Sequence, residues 1–95
     1  MKKVTMKLKP ERVQELLARL TGWRLREDGL GLENVRGFNS GQAARSFVGR
    51  VCRLAEEKRQ PVQIRFAGSQ VTVTLQGQPS TGITTNVFKL AGEIG

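Results

Sequence analysis

The clearest structural signal in the chain is the segment Val62-Gln63-Ile64-Arg65-Phe66-Ala67-Gly68-Ser69-Gln70-Val71-Thr72-Val73-Thr74-Leu75. Apolar side chains occupy alternate positions on both sides of a short Ala-Gly-Ser break. Since successive side chains of a strand point to opposite faces of a sheet, this alternation predicts two half-buried strands. The second strand is also rich in β-branched residues, which favour this conformation. The segment therefore predicts a β-hairpin with strands at 62–66 and 71–75.

An earlier hairpin is predicted from a similar pattern. Apolar and polar residues alternate over 23–27, and Asp28-Gly29 is a hairpin turn signal because glycine takes the positive φ that such turns need. The return strand, at about 32–38, is less regular. If its apolar residues point inward, Asn34 and Arg36 share the inward side, which is unusual for polar residues.

Three helices are predicted around these hairpins. Segment 10–20 starts with a proline, which suits the first helical turn, and has apolar residues at three- and four-residue spacing. Segment 41–59 shows one broad apolar face after a capping Asn39-Ser40, and segment 84–94 has Thr84 as its N-cap. We therefore expect an α+β fold in the order α-β-β-α-β-β-α, with a four-stranded antiparallel sheet and three helices on one face. Residues 1–95 are expected to form a single domain.

The composition argues against most catalytic chemistry. The chain has 95 residues and no histidine, although imidazole does much of the acid–base and metal chemistry of proteins at neutral pH. The lone Cys52 excludes an intramolecular disulfide and a multi-cysteine metal cluster. We therefore predict no catalytic residue, no metal site and no cofactor. On this reasoning the chain is not an enzyme and works by binding a partner.

The charge and the apolar pattern bear on the kind of partner. Sixteen Lys and Arg residues against eight Asp and Glu give a net charge of +8, which favours an acidic partner. The chain has one Trp, four Phe and no Tyr, so it has few aromatic side chains on which nucleic-acid bases could stack. Nucleic-acid binding is therefore not expected. No run approaches the roughly 20 apolar residues that cross a bilayer, so we expect no membrane association and a cytoplasmic location. The small core favours a homodimer.

A series of short motifs runs along nearly the whole chain. They are Leu20-Thr21-Gly22-Trp23, Phe38, Ala44-x-x-Phe47-x-x-x-Val51, Ala55-Glu56, Pro61, Val71-Thr72-Val73-Thr74-Leu75, Gly82-Ile83-Thr84 and Leu90-Ala91. In their order and spacing they resemble the pterin-4a-carbinolamine dehydratase family. The resemblance implies the same element order that the periodicity predicts.

The resemblance also implies acid–base residues that this chain lacks. Active members of that family carry His-His-Pro at the end of the long helix, another His after the strand that follows, and an Asp early in the last helix. The corresponding positions here are Arg59, Gln60, Pro61, Gln78 and Val87. Dehydration of the carbinolamine needs one proton placed on the leaving hydroxyl and another removed from the ring nitrogen. Glutamine and a permanently protonated arginine do neither, so we interpret the active site as vacated.

Dehydratase-like proteins without these histidines are similar to the RuBisCO assembly factors of α-carboxysomes. That resemblance implies a non-catalytic homodimeric chaperone that binds the RuBisCO large subunit, in the bacterial cytoplasm and in association with the carboxysome. Two alternatives stay open. One is a residual dehydratase or pterin-binding protein, with Arg59, Gln60 and Gln78 lining the old pocket, and the other is a binding module of the transcriptional coactivator type.

A partner surface is expected among five arginines of the strands and of the long helix. These are Arg24, Arg26, Arg36, Arg45 and Arg53. Arg36 stands out because the resemblance places an aromatic core residue at its position. Each of the five is also consistent with an ordinary solvated arginine.

Overall fold

Three helices and four strands are present in the computed structural model, which describes residues 8–77 and 82–95. The helices are α1 (Pro10–Ala18), α2 (Gly41–Glu57) and α3 (Thr85–Ile94), and the strands are β1 (Trp23–Leu25), β2 (Gly31–Gly37), β3 (Val62–Ala67) and β4 (Gln70–Gln76). The strands form one antiparallel sheet in the order β1-β2-β4-β3. The predicted fold class is confirmed. No helix within the described ranges is long and apolar enough to cross a membrane.

Strand pairing gives the sheet a covered face and an open face. One cross-strand row joins Trp23, Asn34, Val73 and Ile64, and the next row joins Arg24, Glu33, Thr74 and Gln63. Adjacent rows point to opposite sides of a sheet, so the first row faces the helices and the second faces away. Helices α2 and α3 contact β4, and the core lies between them and the covered face. Leu32, Leu75 and Leu90 are among its fully buried side chains.

The two predicted helix caps differ in what they contribute. The Ser40 hydroxyl accepts a hydrogen bond from the backbone N–H of Ala43 at 3.1 Å, which satisfies one of the unpaired donors at the start of α2. Thr84 stands at the N-cap position of α3, but its side chain makes no capping bond. The sequence pattern therefore located both helix starts, and only the first has a side-chain cap.

The first hairpin has a longer connection than predicted, because β1 ends at Leu25 rather than at residue 27 and β2 begins at Gly31. The backbone N–H of Arg26 donates to the carbonyl of Gly31 at 2.9 Å, and the N–H of Gly29 donates to the carbonyl of Arg26 at 2.9 Å. Gly29 has a φ of 71°, as the predicted turn requires. The reversal therefore begins two residues early.

Candidate functional site

The turn between α2 and β3 holds the first three positions of the predicted vacated site. Arg59 has a φ of 53°, in the left-handed region, and this ends the helix before the predicted residue 59. The backbone N–H of Gln60 donates to the carbonyl of Ala55 at 2.9 Å, which closes the turn against the end of α2. Arg59 and Pro61 are exposed, and Gln60 between them is half-buried.

The side-chain amide of Gln60 joins this turn to the end of β4. Its Nε2 donates to the carbonyl of Pro61 at 3.1 Å and to the carbonyl of Gln76, the last residue of β4, at 2.9 Å. An amide nitrogen carries two N–H groups, so both are used within the protein. The oxygen Oε1 is the atom of this side chain that remains for a ligand.

A shallow cleft of about 460 Å³ opens beside the turn. Its wall includes Cys52, Ala55 and Glu56 from α2, together with Arg59, Gln60 and Pro61. The polar groups on this wall are one thiol, one carboxylate, one guanidinium and one amide. This set can hold a small polar molecule by hydrogen bonds and charge. Within residues 8–77 and 82–95, no three His, Cys, Asp or Glu side chains come together to hold a metal ion.

Of the last two positions of the predicted site, Val87 is described by the structure and does not line this cleft. Val87, on the first turn of α3, is 1% exposed and belongs to the core. The adjacent Asn86 donates from Nδ2 to the carbonyl of Lys58 at 3.2 Å, which holds the start of α3 against the end of α2. Gln78 lies outside the described residues. The structure thus brings Arg59, Gln60 and Pro61 together and buries Val87.

Comparison with known proteins identifies the family of the chain. The family model for pterin 4 alpha carbinolamine dehydratase matches residues 6–95. The chain belongs to this family. "Putative pterin-4-alpha-carbinolamine dehydratase" of Sinorhizobium fredii is 36% identical over 89 residues, covering 93% of this chain and 84% of the relative. "Putative pterin-4-alpha-carbinolamine dehydratase 1" of Cupriavidus pinatubonensis is 32% identical over 80 residues, covering 84% of this chain and 69% of the relative.

A solved structure has the same architecture as this dehydratase-family chain. It is the crystal structure of a transcriptional coactivator/pterin dehydratase from Brucella melitensis, which superposes with a TM-score of 0.84. The match covers 93% of this chain and 94% of that chain at 23% sequence identity. At this identity the likeness shows the fold and nothing finer.

The prediction that the chain is not an enzyme is contradicted by these comparisons. The matching family model and both bacterial relatives carry the name of a dehydratase. The prediction rested on the absence of histidine from the sequence. A missing residue type excludes particular proton-transfer mechanisms, but it does not exclude membership of an enzyme family.

The five arginines predicted to bind a partner do not form one surface. Arg24 is on the open face, and its Nη2 lies 2.9 Å from Glu33 Oε1. Arg26 follows β1, and its side chain lies so close to Gly31 that a Cβ added to that glycine would be 3.0 Å from the Arg26 Cδ. The other three are on the helix side of the sheet: Arg45 and Arg53, exposed on α2, and Arg36, half-buried on the covered face.

Arg36 belongs to a packed polar network rather than to the solvated surface. Its guanidinium carbon lies 4.8 Å from the centroid of the Phe47 ring, and its Nε donates to Asn34 Oδ1 at 3.0 Å. The buried Asn34 in turn donates from Nδ2 to the carbonyl of Gly22 at 2.8 Å. Burial, together with the nearby positive charge of Arg50, lowers the pKa of Arg36. The two polar residues on the apolar side of β2 therefore support each other.

Arg50 is the candidate residue that sequence reasoning missed. Its side chain crosses to the end of α3, where Nη2 donates to the carbonyl of Glu93 at 2.8 Å. The available signal was its spacing from Phe47, because residues three apart on a helix are neighbours on its surface. Arg36 over that ring is therefore also brought near Arg50. Arg50 and Glu93 are far apart in the sequence, so the periodicity of α2 does not predict their contact.

Proposed function

We propose that this dehydratase-family protein acts as a RuBisCO assembly factor that binds the large subunit. The observation that carries the proposal is the bonding of Gln60. At a position where the resemblance places an acid–base residue, its two N–H groups are used on the backbone carbonyls of Pro61 and Gln76. This is a structural use of the side chain, compatible with a family fold retained for binding. The resemblance to α-carboxysome assembly factors supplies the identity of the client.

The charge of the chain supports an acidic protein client. The net charge is +8, and Arg45 and Arg53 are exposed on α2. In the part of the chain that the structure describes, neither forms an ion pair with a carboxylate. Exposed cations accelerate association with acidic surfaces and set its salt dependence. We therefore place an initial client contact on α2.

Co-expression with RuBisCO subunits in a heterologous host tests this proposal. The chain should raise the yield of assembled, active RuBisCO, and Arg45→Glu combined with Arg53→Glu should remove most of that gain. Reversal of two exposed charges replaces attraction by repulsion at the contact while changing stability by no more than about 1 kcal/mol in total. Native gel analysis together with carboxylase activity measures the yield.

The matched control is Arg12→Glu combined with Arg19→Glu, which makes the same charge change on exposed positions at α1. This variant should keep most of the gain. A yield that is the same with and without the wild-type chain would refute the assembly role. Equal losses in the two double variants would show that total charge, rather than the α2 surface, is what matters.

We further propose the assembly and location that this role implies. The protein would be a homodimer of single-domain chains in the bacterial cytoplasm, associated with the carboxysome. The homodimer is tested by sedimentation equilibrium on the purified full chain, where a monomeric mass over the micromolar range would contradict it.

Pterin binding or residual dehydratase activity is the second candidate, and the names of the two bacterial relatives favour it. The ligand would lie in the cleft at the α2–β3 turn, with Glu56 and Arg59 as its polar contacts. Calorimetric titration with a reduced-pterin analogue should then give a saturable signal that Glu56→Gln and Arg59→Ala weaken. The absence of heat and of a thermal shift at millimolar analogue would contradict this candidate.

A further inference from the structure

A pair of arginines lies where β2, α2 and α3 approach one another. Arg36 comes from β2, and Arg50 comes from α2 and reaches the end of α3. Among residues 8–77 and 82–95, neither of them forms an ion pair with a carboxylate. Two like charges near one another repel, so an anion placed between them would stabilise the arrangement.

The orientation of Arg36 is set before any ligand arrives. Its Nε is used by Asn34 Oδ1 at 3.0 Å, and one face of the guanidinium covers the ring of Phe47 at 4.8 Å. Phe47 is itself braced by Phe38, with the ring centroids 5.2 Å apart. These contacts leave the two Nη atoms as the donors for a partner. A guanidinium fixed in this way loses little conformational entropy when it binds a carboxylate.

Arg50 adds a second, independently anchored cation. Its Nη2 donates to the carbonyl of Glu93 at 2.8 Å, so the end of this exposed side chain is held at α3. Its positive charge contributes, after burial, to the lowered pKa of Arg36. An anion between the two would relieve both the repulsion and the cost of partial burial.

We propose that Arg36 and Arg50 form an acid-binding site that receives a carboxylate side chain of the protein partner. The inference rests on the proposed client-binding function and names the part of the surface that would recognise an acidic segment. Phosphates of a nucleic acid fit less well, because the buried Phe47 ring is covered by Arg36 and cannot stack on a base. The half-buried Arg36 beside the Phe47 ring, with the exposed Arg50 nearby, suits an isolated carboxylate with apolar neighbours.

The test uses the full chain and a labelled hexaglutamate peptide, with fluorescence anisotropy as the measurement at low ionic strength. Arg36→Gln combined with Arg50→Gln should weaken peptide binding about tenfold or more, because charge-assisted hydrogen bonds are lost. Arg24→Gln combined with Arg65→Gln removes the same charge from the open face of the sheet and should change the affinity less than about twofold. Equal losses in the two double variants would overturn the site.

Two further variants keep the result interpretable if the first loses its fold. Arg50→Gln alone leaves the Asn34 network intact and should still weaken binding, and Arg36→Lys keeps the charge but loses the planar fork. An unchanged peptide affinity in both would refute the proposal. Tighter binding of a single-stranded DNA oligonucleotide of matched charge, lost in the same variants, would assign the site to phosphate instead.

The RuBisCO assay separates this site from the proposed function. Loss of the RuBisCO gain in Arg36→Gln/Arg50→Gln, with the fold preserved by circular dichroism, supports both. A second outcome is that peptide binding depends on the two arginines but the wild-type chain leaves the RuBisCO yield unchanged. This would contradict RuBisCO as the client and support the acid-binding site. A full RuBisCO gain in the double variant would contradict the site and keep the client.

Discussion

Replacement of Asn34 by alanine should lower the free energy of unfolding by about 3 kcal/mol, because a buried polar network loses its central member. Asn34 is 2% exposed, donates to the Gly22 carbonyl and accepts from Arg36. Its removal leaves a cavity and two half-buried groups without this partner. Urea denaturation followed by the fluorescence of Trp23, the only tryptophan, measures the change.

The matched control for this experiment is Asn39→Ala. Asn39 is exposed and makes no side-chain hydrogen bond within residues 8–77 and 82–95, so its loss should cost less than about 0.5 kcal/mol. Asn34→Ala should also release Arg36, and hexaglutamate binding should weaken with it. If Asn34→Ala were as stable as Asn39→Ala, the network would carry no stability and the ordering of Arg36 would need another cause.

Gly77→Ala should be about as costly, at about 3 kcal/mol, because it forces an added methyl group against backbone. A Cβ on Gly77 would overlap the carbonyl oxygen of Gly82, and the N–H of Gly77 is already bonded to the carbonyl of Leu30 at 2.6 Å. Neither backbone group can move away as a flexible side chain could. Thermal and urea denaturation should both show the loss.

Gly49→Ala is the control of opposite sign. Gly49 lies inside α2, and nothing stands within 4 Å of an added Cβ. Alanine has the higher helix propensity, so the substitution should stabilise the protein by about 0.5–1 kcal/mol. Comparable destabilisation by both substitutions would mean that contact with Gly82 is not the cause.

The elements that could be predicted from the sequence are those whose signals are local. The alternation at 71–75 located β4 to within one residue at each end, and Ser40 marked the start of α2. Apolar residues recur every two residues in a strand and about every 3.6 residues in a helix when one face of the element packs on the core. The strands and helices of this fold each pack one such face against the core. The four-stranded antiparallel sheet followed because each hairpin needs one covered face, whereas the strand order β1-β2-β4-β3 was not predicted.

The misses are places where backbone geometry or a distant partner decides the outcome. The end of α2 depends on the left-handed conformation of Arg59, which a non-glycine residue rarely adopts. The early reversal after β1 depends on the bonds that join Arg26 to Gly29 and to Gly31. The alternation of β2 indicates that Arg36 lies on the apolar side of its strand. Its stacking on Phe47 and its proximity to Arg50 depend on how β2 packs against α2, which the sequence pattern does not predict.

For the site, the sequence pattern located the α2–β3 turn but misjudged what could be concluded from it. Arg59, Gln60 and Pro61 do lie together on one cleft, whereas Val87 lies in the core. The inference from missing histidines to a non-enzyme went too far, because the family comparison groups the chain with dehydratases. A side chain's identity limits the chemistry it can do, and its partners decide what it does.

The pairing of β2 with β4 at the centre of the sheet has a consequence for folding. Each hairpin forms between neighbouring segments of the chain, but this pairing joins the two hairpins. Gly31 pairs with Gln76 only when the chain between them, including α2, has folded back. Closing that long loop costs conformational entropy before the hydrogen bonds between β2 and β4 form. The pairing of these two strands should therefore be the slow step of folding. Fragments cut at the α2–β3 turn would each expose one central strand edge and should fold only on recombination. The cleft and the arginine pair would therefore appear and disappear in the same cooperative transition.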